Sequence, residues 1–159
     1  MSQVSYREIE GMPDEAVFED LGRLSFVMFA PPGSDNPSHE RHAESFRVGL
    51  RGRPWIFTVL AYDAEQLVGF KIGRSEDPRE FESWRGGVLE SHRRQGIARE
   101  LAQRQEAWCR TQSFRVICTQ TDPDNTAMLM LNLAQGFIIS GTDLKRAEKL
   151  RVHLVKTLG

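Results

Sequence analysis

The sequence predicts an α/β protein with one mixed β-sheet and helices on both faces of that sheet. Hairpin signals lie early and late in the chain, which predicts antiparallel strands at both ends of the fold. A strand, a helix and another strand follow one another over residues 81–121, which predicts a crossover in the middle. A sheet that combines hairpins with a crossover needs helices on both faces, and the expected order is β-α-α-β-β-β-α-β-α-β-β.

The first half of the chain is divided by clear turn and breaker residues. Asp14 is expected to cap a helix whose apolar side chains recur at helical spacing up to Met28. The predicted elements are a strand over 4–9, a helix from Glu15 stopped by Pro31-Pro32-Gly33, a loop over 34–37, a helix over 38–51, and strands over 55–62 and 67–73.

The second half continues with alternating strands and helices. Gly136 is predicted to close the last helix, because glycine readily adopts the left-handed conformation of a C-terminal cap. The predicted elements are a strand over 81–89, a helix over 97–110, a strand over 114–121, a helix over 125–135, and strands over 137–144 and 150–158.

Length and composition predict one domain over residues 1–159. The chain is 40% hydrophobic and 27% charged, which suits a single compact core. A formal net charge of −1 gives no overall field that would draw the protein to nucleic acid or to an anionic membrane. No signal peptide and no run of about 18 apolar residues is present, so we expect a cytoplasmic protein without a membrane partner.

The turn before the central helix has the features of a phosphate-binding site. Gly96 and Ala98 keep the backbone at the helix start clear of side chains, and the unpaired amides of that start favour an anion. Arginine side chains on both sides add charge-assisted donors. The residues expected to bind phosphate groups are Arg93, Arg94, Gln95, Gly96, Ile97, Ala98 and Arg99.

Two motifs in this order resemble those of the GNAT acetyltransferase superfamily. The first is [QR]xxGx[GA] after a strand, matched by Arg93, Gly96 and Ala98, with Val88 on the strand and Glu90 where proline is common. The second is NxxAxxLYxxxGF, matched by Asn125, Leu131, Gly136 and Phe137. Met128 and Asn132 depart from the alanine and the tyrosine of that second motif.

The resemblance implies that acetyl-CoA is the co-substrate and that an amine attacks its thioester directly. It implies that the strand before the motif and the next strand splay apart at a bulge, for which Gly86-Gly87 is the expected position. The backbone N–H of Val88 or of Leu89 would then polarise the thioester oxygen. Asn125 is expected to cap its helix, and in relatives the asparagine at this position also touches the cofactor.

Glu82 and Asn132 are the candidate catalytic residues. Glu82 lies eleven positions before Arg93, the offset at which histone-modifying relatives carry their base, and Glu80 is the alternative. An ordinary solvent-facing glutamate is the competing interpretation of Glu82. Asn132 replaces the tyrosine that relatives often use as the acid, so its amide is expected only to hydrogen-bond the sulfur or the pantetheine chain, and water or no acid can serve the thiolate.

The acceptor side is less defined by the sequence. The resemblance places it between residues 26–51 and 142–150, where Phe29, Phe46 and Trp84 could line a pocket, although an apolar core face explains these aromatics equally. Near-neutral charge argues weakly against a strongly cationic acceptor. No metal site is expected from His39 and His42, and Cys109 and Cys118 are predicted to be buried apolar residues.

Three functions remain open at this point. The first is N-acetylation of a small-molecule amine, the second is N-acetylation of a protein or peptide amine, and the third is non-catalytic binding of acyl-CoA. The final strand pair offers an exposed edge, so a homodimer is possible.

Overall fold

The computed structural model describes residues 3–29, 38–145 and 149–159. In chain order the elements are β1 (Val4–Glu10), α1 (Glu15–Phe29), α2 (His39–Leu50), β2 (Trp55–Asp63), β3 (Gln66–Ser75), β4 (Glu80–Val88), a 3₁₀ turn (Glu90–His92), α3 (Ile97–Thr111), β5 (Val116–Thr121), α4 (Thr126–Ala134), β6 (Ile138–Lys145) and β7 (Lys149–Thr157). The predicted order is confirmed. The sequence missed the 3₁₀ turn because three residues give no periodicity. The expected stop at Pro31-Pro32-Gly33 and the loop over 34–37 lie outside the described residues.

The predicted helix caps are confirmed by their hydrogen bonds. Asp14 Oδ1 accepts from the backbone N–H of Val17 at 3.0 Å, which starts α1. At the end of α4, Gly136 has a φ of 92°, and the N–H of Phe137 donates to the carbonyl of Asn132 at 3.0 Å. This is the left-handed termination that glycine permits.

The seven strands form one sheet in the order β1-β2-β3-β4-β5-β7-β6. Only the β4–β5 pair is parallel, and it marks the crossover through α3. One face is covered by α1 and α2, with Phe18, Leu21, Phe46 and Leu50 in its core. The other face is covered by α3, with Ile97 and Leu101 in its core. Helices on both faces therefore confirm the predicted architecture.

The two cysteines differ in burial. Cys109 is buried, as predicted, whereas Cys118 is only partly buried on β5, which corrects the prediction for that residue. Burial is the first cause that raises the pKa of both thiols, to about 12 for Cys109 and about 11 for Cys118. Both side chains therefore stay protonated near neutral pH.

The longest helices, α1 and α3, contain 15 residues each. No helix within the described ranges is both long enough and apolar enough to cross a bilayer.

Candidate active site

The sheet opens in its centre, between β4 and β5. These strands pair only over Glu80–Glu82 and Val116–Cys118. Just beyond the last pair, Thr119 Oγ1 donates to the carbonyl oxygen of Ser83 at 3.0 Å and makes a final link between the strands. The remainder of β4 has only β3 as a strand neighbour, so a gap lies between the ends of β4 and β5.

A bulge on β4 lies beside this gap, at Trp84. Ile72 of β3 pairs with Arg85 and Gly73 pairs with Ser83, which leaves Trp84 without a partner. The predicted position of the bulge, Gly86-Gly87, is therefore wrong, because both glycines keep regular pairing with Lys71 and Phe70.

The glycines of β4 instead allow close packing. A Cβ on Gly87 would lie 2.1 Å from Cε of Met28, so the end of α1 contacts the strand there. A Cβ on Gly86 would lie 3.1 Å from the carbonyl oxygen of Phe70 and 3.5 Å from Cγ of Lys71. Glycine in a strand indicates either a bulge or a close approach of other atoms to the backbone. At Gly86 and Gly87 the close approach explains why these positions are glycine.

The backbone of β4 directs toward the gap polar groups that are not bonded to β3. The N–H of Leu89 donates to the carbonyl of Val68 at 2.8 Å, so these two residues form a hydrogen-bonded pair. Because such pairs alternate in an antiparallel ladder, Gly86 and Val88 direct their N–H and C=O groups away from β3 and toward the gap. Of the two predicted thioester donors, Val88 therefore faces the gap, whereas the amide of Leu89 is already bonded.

The turn after β4 is fixed at both of its sides. His92 Nε2 lies 2.8 Å from Asp63 Oδ2, which ties the 3₁₀ turn to the β2–β3 hairpin. Arg93 Nε donates to the carbonyl oxygen of Val88 at 3.2 Å. Arg94 and Gly96 then adopt left-handed backbone angles, with φ of 62° and 80°. This double turn directs the chain into α3.

The predicted anion site lies at the start of α3. Gly96 occupies the cap position without a side chain, so no side chain competes for the first amides of the helix. Arg93, Arg94, Gln95 and Arg99 are exposed around these amides. Ile97 is buried in the core and contributes only its backbone. The amides at the start of α3 and the arginines around them together favour the binding of phosphate groups.

The two candidate asparagines of the second motif have different surroundings. Asn125 Oδ1 accepts from the N–H of Met128 at 3.2 Å, which confirms the predicted cap of α4. Asn125 also lines the cleft at the gap. Asn132 is 5% exposed and is not among the described residues that line the cleft.

A cleft of about 840 Å³ extends from the gap to α1 and α2. Glu82 and the three predicted substrate-binding aromatics, Phe29, Phe46 and Trp84, all line it. Phe46 is 1% exposed and also belongs to the core, so it both lines the cleft and packs as an apolar core residue. Glu80 is exposed at the start of β4 and is not among the residues lining the cleft.

Glu82 is held by an arginine that the sequence analysis missed. Arg74 of β3 is the register partner of Glu82, and its Nε lies 3.0 Å from Glu82 Oε2. Arg74 also donates to the carbonyl oxygen of Gly49 at 2.6 Å and stacks on Trp84, with 4.0 Å between Cζ and the ring centroid. The sequence places Arg74 on the strand before the one that carries Glu82. That the two residues face each other depends on the register between β3 and β4, which the sequence does not show.

The cleft is positively charged although the chain as a whole is not. Six of its lining residues are lysine or arginine, and two are acidic, an excess of four positive charges. The two acidic residues are already paired, Glu82 with Arg74 and Asp122 with Lys149. The cations that line the cleft are Arg41, Lys71, Arg74, Arg85, Lys145 and Arg151.

Burial lowers the pKa of three basic groups in the cleft, Lys71, His42 and Arg85. Burial lowers the pKa of Lys71 to about 8, and no carboxylate among the described residues is paired with its amine. Burial, followed by the positive charge of Arg85, lowers the pKa of His42. His42 Nδ1 lies 2.9 Å from Ser25 Oγ, and its Nε2 is buried with no hydrogen-bond partner in the described part of the chain.

His39 and His42 lie on α2 and both pack edge-on against Phe26. Within the described ranges, no group of three or more histidine, cysteine or acidic side chains has the arrangement of a metal site.

Comparisons with known proteins were made for sequence and for structure. The family model described as "Acetyltransferase (GNAT) family" matches residues 18–137. No curated protein sequence matches the chain.

Solved structures show the same fold at low sequence identity. Ard1 from Thermoplasma volcanium is 15% identical, with 98% of each chain covered and a TM-score of 0.75. An aminoglycoside 6′-acetyltransferase type Ii is 20% identical, with 95% of this chain and 96% of that chain covered and a TM-score of 0.75. The NatC complex bound to Gag peptide and CoA is 18% identical, with 99% of each chain covered and a TM-score of 0.73.

Proposed function

This chain belongs to the GNAT acetyltransferase family, and on that basis we propose that it transfers the acetyl group of acetyl-CoA to the primary amine of a small molecule. Transfer takes place in one complex of protein, acetyl-CoA and amine, without an acylated enzyme.

The observation that carries this proposal is the open edge of β4 next to the start of α3. The N–H and C=O of Gly86 and the C=O of Val88, which face the gap, can pair with the pantetheine amides, as a strand pairs with an added strand. The amides of Ile97, Ala98 and Arg99, with Arg93, Arg94 and Gln95, can receive the phosphate groups. The similar NatC complex contains CoA, which supports the same donor here.

Val88 and Glu82 are proposed to assist the reaction from the two sides of the gap. The N–H of Val88 stabilises the negative charge that develops on the thioester oxygen. Glu82 takes one proton from the ammonium group, directly or through a water molecule, while Arg74 holds its carboxylate in place. The neutral amine then attacks the thioester carbonyl. The new N–C bond forms as the C–S bond breaks, the nitrogen loses its second proton to water, and the CoA thiolate leaves and takes a proton from water.

No side-chain acid is included in this scheme. Asn132 is buried in α4 and does not reach the lining of the cleft, so a hydrogen bond from its amide to the sulfur is not part of the proposal. Asn125 lines the cleft at the start of α4 and is retained as a cofactor contact.

A small-molecule acceptor is favoured by the size of the cleft. Its volume of about 840 Å³ is within the range that holds a small ligand. Phe29, Trp84 and Phe46 supply the apolar part of its wall. The protein is expected to act in the cytoplasm, where acetyl-CoA and free amines are both available.

A thiol-release assay with DTNB tests the proposal against its two alternatives. Purified protein and acetyl-CoA are incubated with small amines, with peptides that have free N-termini, and with aminoglycosides, and the products are identified by mass. Transfer to small amines is the expected result. Transfer only to peptides would favour a protein N-acetyltransferase, and tight acetyl-CoA binding without any thiol release would favour a non-catalytic binding module.

A further inference from the structure

We propose that the acceptor amine also carries a carboxylate or phosphate group, and that the guanidinium of Arg85 binds this group. This inference rests on the proposed function, because it specifies the molecule that enters the cleft. It concerns the acceptor and not the phosphates of CoA.

Arg85 is held in a fixed orientation by two aromatic rings. Its Cζ lies 4.1 Å from the ring centroid of Trp84 and 5.0 Å from that of Phe46. Such stacking restrains the plane of a guanidinium group while leaving its N–H edge free for hydrogen bonds. A planar fork of N–H donors matches the two oxygens of a carboxylate or a phosphate.

The charge of Arg85 is not compensated by any carboxylate in the described part of the chain. The Arg85 side chain is half-buried, and no carboxylate of the described residues forms an ion pair with it. The nearest acidic side chain on its own strand, Glu82, is paired with Arg74. A half-buried charge without a counterion costs free energy, and a bound anion would remove that cost.

The other cleft cations strengthen the same preference. Arg41 and Lys145 are exposed, Lys71 is half-buried, and none of the three is paired with a carboxylate among the described residues. A cationic acceptor entering this cleft would lie close to like charges, which disfavours its binding. The cleft therefore selects anions and rejects polyamines and aminoglycosides.

The phosphates of CoA do not account for these charges. Arg93, Arg94 and Arg99 surround the start of α3, and none of them is among the residues that line the cleft. The protein thus has two cationic regions, one at the helix start and one around Arg85. Only the first lies at the turn that is proposed to bind the phosphates of CoA.

His42 offers a second hydrogen-bond donor in the same cleft as Arg85. The charge of Arg85 contributes to the lowered pKa of His42, so the ring is close enough to sense it and stays neutral near pH 7. A Ser25 hydroxyl that donates to Nδ1 leaves the ring proton on Nε2, which has no partner of its own in the described part of the chain. Because His42 lines the same cleft as Arg85, the anionic group of the acceptor is the proposed partner of this N–H.

The test compares matched pairs of amines that differ only in the anionic group. The carboxylate arm uses each common α-amino acid against its α-amide, and β-alanine against β-alaninamide. The phosphate arm uses O-phosphoethanolamine against ethanolamine. We expect kcat/KM to be about 10- to 100-fold higher for the anionic member in at least one arm, the range of a charged hydrogen bond.

Variants of Arg85 test whether its guanidinium group causes the preference for anionic acceptors. Arg85→Met is expected to raise KM for the anionic acceptor by about 10- to 100-fold while leaving the affinity for acetyl-CoA unchanged. Arg85→Lys retains the charge but not the planar fork, so it should restore only part of the loss. Arg79→Met is the matched control, because Arg79 is an exposed arginine at the start of β4, away from the cleft.

A binding measurement separates this inference from the proposed function. Thermal unfolding with saturating CoA and each amine of the panel requires no turnover. If no amine releases thiol but anionic amines stabilise the wild type and not Arg85→Met, the anion site stands and the transferase proposal fails. If neutral and anionic partners are acetylated equally well, or if Arg85→Met leaves the preference and the stabilisation intact, the anion site is refuted and the transferase proposal stands.

Discussion

Arg74 and Glu82 face each other across β3 and β4 and form an ion pair of 3.0 Å at the wall of the cleft. The same arginine holds the carbonyl of Gly49 on α2 and stacks on Trp84. The pair therefore joins the proposed base to the helix that lines the acceptor side. The carboxylate of Glu82 is fixed in position before any substrate arrives.

Glu82→Gln is expected to lower kcat about 100- to 10,000-fold, the range that general-base catalysis contributes. Glutamine has the size of the carboxylate and retains an oxygen that can accept from Arg74, but it cannot take a proton. Steady-state thiol release with the best acceptor measures the effect. The affinity for acetyl-CoA, followed by thermal shift, should stay at the wild-type value. A kcat within twofold of wild type would remove Glu82 as the base.

Gly96→Ala is expected to weaken acetyl-CoA binding on the order of tenfold. Gly96 has a φ of 80°, and a side chain in this conformation costs about 1–2 kcal/mol, so the turn will shift the amides at the start of α3. Isothermal titration with acetyl-CoA measures the change.

Gly52→Ala is the matched control for that variant. Gly52 has a φ of 76°, and a Cβ at either glycine would have no atom within 4 Å. Both variants should therefore lose similar stability in urea unfolding. Equal losses of acetyl-CoA affinity in the two variants would contradict a direct contribution of the Gly96 turn.

Lys71→Met is expected to stabilise the protein at pH 7 by about 1–3 kcal/mol. Burial lowers the pKa of Lys71 from its ordinary value of 10.5 to about 8, so the native state binds the proton less tightly than the unfolded chain. The charged lysine therefore costs stability below pH 8, and this cost disappears as the pH rises from about 8 toward 10.5. Methionine has no such cost at any pH.

Urea unfolding of both proteins at pH 7 and pH 10 measures this difference. The advantage of the methionine variant should shrink at pH 10. Lys145→Met, at an exposed position of the same cleft, should show no comparable change with pH. A stability difference that is the same at both pH values would exclude a buried charge at Lys71.

The β6 edge is expected to mediate a homodimer. β6 is the terminal strand of the sheet, and Ile138, Ile139 and Leu144 on it are 63%, 54% and 61% exposed. An uncovered edge strand with apolar side chains favours pairing with a second copy. Size-exclusion chromatography with light scattering should give twice the chain mass of 18.1 kDa, and Ile139→Lys should give the single-chain mass. A single-chain mass for the wild type at high concentration would contradict the dimer.

Local signals in the sequence were sufficient for the fold and for the position of the turn that is proposed to bind the acyl donor. Gly136 and Asp14 indicated helix ends through backbone and capping chemistry that depends only on neighbouring residues. The turn from Arg93 to Ala98 was predicted for the same reason, since its anion-binding groups belong to one short segment. The structure brings these residues together at the start of α3.

The acceptor side was not predictable in the same way, because it depends on pairing between distant segments. The place of the bulge at Trp84 follows from the register between β3 and β4, which the two glycines alone could not show. Arg74 pairs with Glu82, and Arg85 stacks on Phe46, only once the strands and α2 are assembled in the folded protein. The net charge of −1 also concealed a cleft with four excess positive charges.

The binding of acetyl-CoA is tested most directly by unfolding the purified protein with and without this compound. At a hundred times its Kd, acetyl-CoA should add about 2.7 kcal/mol to the free energy of unfolding and raise Tm by about 5 to 10 °C. Gly96→Ala should show a smaller shift than Gly52→Ala at the same concentration. No shift in the wild-type protein at millimolar acetyl-CoA would contradict the assignment of the β4 edge and the start of α3 as the binding site of the acyl donor.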